Sequence, residues 1–181
     1  MSFLLHYTDQ RPDGAILEAI NDVKREAGIF FKTQGFEGEW ATGGFGIVAI
    51  RPAHVKAGAS VNWGASHYWA SSYAASLTWE NWIDITQTDQ AYEIVTGYMN
   101  LEVAPKTVEI AFKVAGKDLP SFNIEEMYAI ADFSRVYFRS PLKIGPAKPW
   151  QMQHKGIDTG VEREGLIGYT VGTHAFLILR A

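Results

Sequence analysis

Residues 107–114 read TVEIAFKV, and that alternation leaves little choice of backbone. Val108, Ile110, Phe112 and Val114 fall on one face of an extended chain, and Thr107, Glu109, Ala111 and Lys113 on the other. Comparable short apolar stretches recur along the chain. FGIVAI (45–50) closes at Pro52, which cannot donate to a ladder. ENWIDIT and AYEIVTGYMNLEVAP follow, the second with a bulge expected at Gly97. RVYFRSPLKIGP reads as a strand ended by Pro141 and then a short strand to Gly145. WQMQHK alternates again, and GLIGYTV and HAFLILRA read as two strands flanking a Gly172-Thr173 turn.

Helical periodicity is scarcer. Ile16, Ala19, Ile20 and Val23 lie at helical spacing between a capping Asp13 and a terminating Gly28, which predicts a short helix over 14–26. IFFKTQGFEGEW (29–40) reads as one or two short strands with a turn near Gly35. NIEEMYAIA (123–131) reads as one or two helical turns. Eight to ten short strands at turn spacing of about 8–12 residues, with one or two short helices, predict an all-β chain. The expected architecture is an antiparallel β-sandwich or jelly roll. No linker or repeat divides residues 1–181, so one domain is expected, with residues 1–28 as an N-terminal arm plus the short helix.

Composition excludes several classes. The 181 residues hold no cysteine, which removes disulfide scaffolds, iron–sulfur clusters and thiolate zinc sites. No apolar run reaches the roughly 18 residues of a membrane span. The opening MSFLLHYTDQ lacks the basic leader and apolar core of an export signal. The net charge is -4, with 6 basic and 10 acidic side chains in residues 1–90 and 10 of each in 91–181. No basic block is present to neutralise phosphates, which argues against direct nucleic-acid binding.

Catalytic patterns are equally sparse. The five histidines (His6, His54, His67, His154, His174) are all at least 13 residues apart, so no paired metal-ligand spacing occurs. There is no G-x-S-x-G elbow, and Ser66-His67 are sequence neighbours that point to opposite faces of a strand. Asp84, Glu93, Glu102 and Glu109 could converge as paired carboxylates, but read more simply as outward strand residues that keep edges soluble. ATGGFGIVAI has glycines before a strand, the reverse of a dinucleotide loop. An enzyme centred on His67, Asp84 and Glu93 stands as the third-ranked reading. No enzyme, no metal and no cofactor are expected.

The most unusual segment is Ala57 to Trp79, AGASVNWGASHYWASSYAASLTW, 23 residues without one Asp, Glu, Lys or Arg. Trp63, Tyr68, Trp69, Tyr73 and Trp79, with Trp82 just beyond, stand among Ala, Ser and Gly. Such rings suit a protein–protein interface, where aromatics are enriched and charge is depleted. They suit a core, because tryptophan buries a large area. They also suit a flat platform for sugar rings. The interface is the favoured reading.

From Pro105 to Arg180 the layout of TVEIAFKVAG, DLPSFNIEEM, YFRSPLKIGP, WQMQHK and GLIGYTVGTHAFLILRA resembles jelly-roll structural proteins of virions, the capsid and capsid-decorating subunits. The resemblance implies a self-assembling or shell-stabilising protein, located in a virion assembled in a host cytoplasm. It carries no functional residue with it. The lack of a basic N-terminal arm departs from genome-binding subunits and implies an outer-surface or tubular role. The expected partners are copies of the chain itself and other shell proteins. The alternative is a carbohydrate-binding module with the same rings as its platform.

Overall fold

The computed structural model describes residues 5–6, 13–35, 44–55, 69–124 and 135–179. Its first long element is α1, Asp13–Thr33. Ile16, Ala19, Val23, Ala27 and Phe31 form one buried stripe along it. That stripe continues past Gly28, so the helix is longer than predicted. Ile29, Phe30 and Phe31, expected in a strand, belong to it. Gly28 gives close passage instead of an end, since a Cβ there would lie 3.6 Å from the Phe45 ring. The terminator is Gly35 at φ 82°. The amides of Gln34 and Gly35 turn back to the carbonyls of Phe30 and Lys32.

The described residues form twelve strands, the first of them ahead of α1; in chain order they are β1 Leu5–His6, β2 Phe45–Ala49, β3 Ser71–Tyr73, β4 Trp79–Thr86, β5 Ala91–Asn100 and β6 Thr107–Val114. Then come β7 Lys117–Asp118, β8 Phe122–Asn123, β9 Arg135–Ile144, β10 Pro149–Gly156, β11 Gly160–Glu162 and β12 Glu164–Thr173. One antiparallel sheet has the order β1-β9-β5-β12-β2. A second has β4-β10-β6, with β7 and β8 both on the far edge of β6. β11 and β3 form a separate ribbon. The path alternates between sheets: β2 in the first, β4 in the second, β5 first, β6 and β8 second, β9 first, β10 second, β12 first. Orders 2-12-5-9 and 4-10-6-8 with those crossings are the wiring of a jelly roll.

Between the sheets lies the main core, built around Trp82, Trp150, Phe112, Phe138, Val95 and Leu166. On the outer face of the first sheet, α1 packs Val23, Ala27 and Phe31 onto Tyr92, Ile94 and Val171. Asp22 on α1 is also tied to Lys143 on β9 at 2.6 Å. β5 is therefore covered on both faces and reads as an almost unbroken buried run.

Two further expectations change. β9 runs through Pro141 without ending there. In its pairing with β5, Tyr137 faces Gly97 and Leu142 faces Val95, so Pro141 falls in the bulge opposite Thr96 and no ladder bond needs its missing N–H. The closing hairpin is absent. β12 extends through Gly172 to Thr173, and HAFLIL forms a second helix, α2, His174–Leu179. Thr173 caps it, its Oγ1 accepting the Phe176 amide at 3.3 Å. Phe176 and Leu177 pack on Ala91 and Val48. Of the segment 123–131 read as helical, Asn123 instead ends β8, and 125–131 lie outside the described residues.

Candidate functional site

Of the six aromatic positions singled out above, Trp63 and Tyr68 lie outside the described residues. Trp82 and Tyr73 are core side chains, at 0% and 3% exposure. The Trp82 indole N–H donates to the Ala70 carbonyl at 3.0 Å. Trp69 is half-buried and sits 6.0 Å from the Trp82 ring. Trp79, at the start of edge strand β4, stays at the surface with Lys155 Nζ 5.3 Å over its ring. Tyr73 and Trp82 thus present no surface to a partner. The segment divides between core and surface because β3 turns inward and β4 starts at the rim.

What sequence reasoning missed lies beside these rings, at the end of the sandwich where β5 finishes, β6 starts, β10 finishes and β12 starts. His154, fully buried, brings Nδ1 to 2.5 Å from Glu164 Oε1. Glu164 is also fully buried, and its Oε2 accepts the Tyr98 hydroxyl at 2.5 Å. Thr107 Oγ1 lies 2.7 Å from an oxygen of Glu164 and 2.7 Å from one of Glu162. Tyr73 OH is 2.5 Å from the same Thr107 hydroxyl. Glu162 further accepts from the Lys106 amide and, at 3.2 Å, from Asn100 Nδ2. The His154 ring stacks 4.2 Å from Tyr73 and lies 5.9 Å from Trp82 at 11°. Its Nε2 has no hydrogen-bond partner among the described residues.

The two carboxylates differ in character. Burial opposes ionisation of Glu164, but the hydrogen bond and charge of His154, with the hydrogen bond from Tyr98, hold its carboxyl below the ordinary range. Burial pushes Glu162 the other way, upward, against the donors from Lys106, Thr107 and Asn100, and the Glu164 charge adds to the rise. Thr107 has one hydroxyl proton for two carboxylates, so Glu162 is the first of the pair to take up a proton as pH falls. Tyr73 is held protonated, by burial first and the charge of Glu164 second. Histidine, glutamate and tyrosine are acid–base residue types, yet Glu164 and His154 are both sealed from solvent. The arrangement closes one end of the sandwich interior with a buried polar network, in which His154 Nε2 is the ring nitrogen without a partner among the described residues.

A second buried cluster closes the other end. Thr170 Oγ1 lies 2.6 Å from Glu93 Oε2 and 2.8 Å from His54 Nδ1, and Gln87 Nε2 donates to Glu93 Oε1 at 3.2 Å. Glu93 is thus not an outward strand residue, because its strand is covered on both faces. The four candidate carboxylates do not converge. Asp84 meets Asn81, Glu102 meets Arg163, Glu109 meets Lys155, and Glu93 is interior. His67 lies outside the described residues. Among the described residues no three His or carboxylate side chains are grouped as metal ligands.

Around the Glu164 network the surface changes. Eight large apolar side chains are exposed among the described residues, and six of them belong to this end: Leu77, Trp79, Leu101, Val103, Ile157 and Val161. The other two, Leu17 and Ile29, are on α1. Leu77 is brought to the β10 terminus by its amide bond to the Gly156 carbonyl, and Leu101 to the β12 start by its bond to Arg163. Val161 faces outward because β11 pairs it with Ser72 while Glu162 turns in. The cations standing among them each meet a carboxylate: Lys106 with Asp158, Lys155 with Glu109, Arg163 with Glu102. No protein-family model, curated protein or solved structure matches the chain.

Proposed function

We propose that the chain is a non-enzymatic structural protein that assembles with copies of itself, as a subunit of a shell such as a capsid or capsid-decorating layer. The observation that supports this reading is the concentration of six of eight exposed large apolar side chains at one end of the jelly roll. Large apolar side chains gathered on one exposed end are the kind of surface that marks a contact. Its cations are paired with carboxylates inside the same chain, so the patch carries no strong field of one sign. That suits a second copy, because a two-fold contact sets each patch against itself and a net charge there would repel. Nucleic acid would demand unpaired cations instead.

Jelly rolls serve shells, lectins and cupins alike, so the fold alone decides nothing. The carbohydrate reading draws less support from the rings, since Tyr73 and Trp82 are inside the core and Trp79 is occupied by Lys155. The direct test is negative-stain imaging of the concentrated protein. Rings, shells or tubes are expected. A field of separate particles of one-chain size would overturn the proposal.

A further inference from the structure

A hollow lies on the opposite side of the first sheet from the sandwich interior, beyond the part that α1 covers. Its cause is visible in the register. Across the outer face, Tyr137 on β9, Gly97 on β5 and Ile167 on β12 form one row, and the middle member has no side chain. A Cβ at Gly97 would stand 2.3 Å from the Val136 carbonyl oxygen, so the strands approach too closely there for any other residue. In the next row, Arg135 pairs with Met99 and Met99 with Gly165. Trp69 is seated directly on Gly165, its ring 2.6 Å from where a Cβ would be. The result is a cavity of about 320 Å³ with Trp69, Met99, Arg135, Tyr137, Ile167 and Tyr169 in its lining. Small-molecule sites have this make-up, an apolar and aromatic surface with few polar groups, and start at about 300 Å³.

The charge in it is the informative part. Lys106, Lys155 and Arg163 each meet a carboxylate, whereas no described carboxylate pairs with Arg135, which lines the hollow itself. A guanidinium beside three aromatic rings fits a planar anion, which it can hold with two parallel N–H···O bonds. The Met99 and Ile167 side chains offer a sugar's hydroxyls no partners, but they suit the face of a flat ring. We propose that this hollow is a binding site for a small aromatic carboxylate of one or two rings, the rings lying over Ile167 and Met99 and the carboxylate on Arg135. The site is separate from the apolar end and does not depend on self-assembly.

The test uses 2-naphthoate and its neutral counterpart 2-naphthamide as probes, titrated against the intact chain by calorimetry with tryptophan fluorescence as a second readout. Saturable binding of 2-naphthoate is expected, with the amide weaker. Arg135→Gln should weaken the acid by about ten- to a hundredfold and leave the amide unchanged. Ala49→Trp, at an exposed position on the lining, should abolish both without lowering the melting temperature. Val161→Asp, which breaks the proposed self-contact, should leave binding intact. Failure of both probes to bind up to their solubility would overturn the site. Equal binding of acid and amide, unmoved by Arg135→Gln, would overturn its anion recognition. Probe binding that survives Ala49→Trp would place the probe elsewhere and overturn the site.

Discussion

Replacing Tyr98 by Phe removes one oxygen from the fully buried Glu164 network and leaves the ring in place. That hydroxyl donates to Glu164 Oε2 at 2.5 Å and lies 3.3 Å from Asn100 Nδ2. Asn100 keeps its bond to Glu162, so the loss falls mainly on Glu164, which would retain His154 and Thr107. A hydrogen bond to a charged group contributes about 1.5–3 kcal/mol, and that is the expected loss. In a chain of this size each kcal/mol moves the melting temperature by about 2–4 °C. Urea unfolding at neutral pH, followed by tryptophan fluorescence, should show the loss as a lower midpoint with an unchanged slope. The penalty should also shrink in acid. Glu164 is held below its ordinary value, so its contribution is complete above the unfolded value of about 4.3 and is lost as pH falls through the lower folded one. A variant within about 0.5 kcal/mol of the parent at neutral pH, the usual range for neutral surface changes, would refute an ionised Glu164 held by this hydroxyl.

Phe31→Ala should cost about 3–5 kcal/mol, read by the same urea titration, since Phe31 is wholly buried between Tyr92 and Phe45. Gly165→Ala should shift the tryptophan emission of the native protein, because the added methyl meets the Trp69 ring at 2.6 Å and Met99 at 2.8 Å. Gly35→Ala should lower stability by roughly 1 kcal/mol in thermal melts, through its positive φ at the α1 terminus. Glu162 works against Glu164: its raised value means that its burial costs least when protonated, so Glu162 adds stability as pH falls through that value. Acid titration of the parent against Thr107→Val, which contacts both carboxylates, should show the two effects coupled.

Strand patterns carried the fold well. TVEIAFKV and WQMQHK form strands where alternation places them, and ENWIDIT is a strand as expected. α1 was legible only in its first half. Gly28 looks like a stop, and only packing on Phe45 shows that it is a crossing point. HAFLIL has no period of two, and its helix is decided by the Thr173 cap and by Ala91 beneath. The polar network left a trace that went unread. Trp150, Met152 and His154 alternate on one face, and Glu162 and Glu164 share a face with Leu166, so a histidine and two acids stand on inward positions. The pairing of these groups across two sheets is set by strand order, which no local pattern encodes. The apolar end was invisible for the same reason, since Leu77, Leu101 and Val161 come from three separate parts of the chain, two connections and the short strand β11.

The most direct test of self-assembly through that end is native mass by light scattering over a range of concentrations. The parent should exceed the single-chain mass of 20.1 kDa and grow with concentration, whereas Val161→Asp and Leu77→Asp, folded by circular dichroism, should remain single chains. A parent that stays at 20.1 kDa at the highest concentration, or aspartate variants that assemble as it does, would contradict the account.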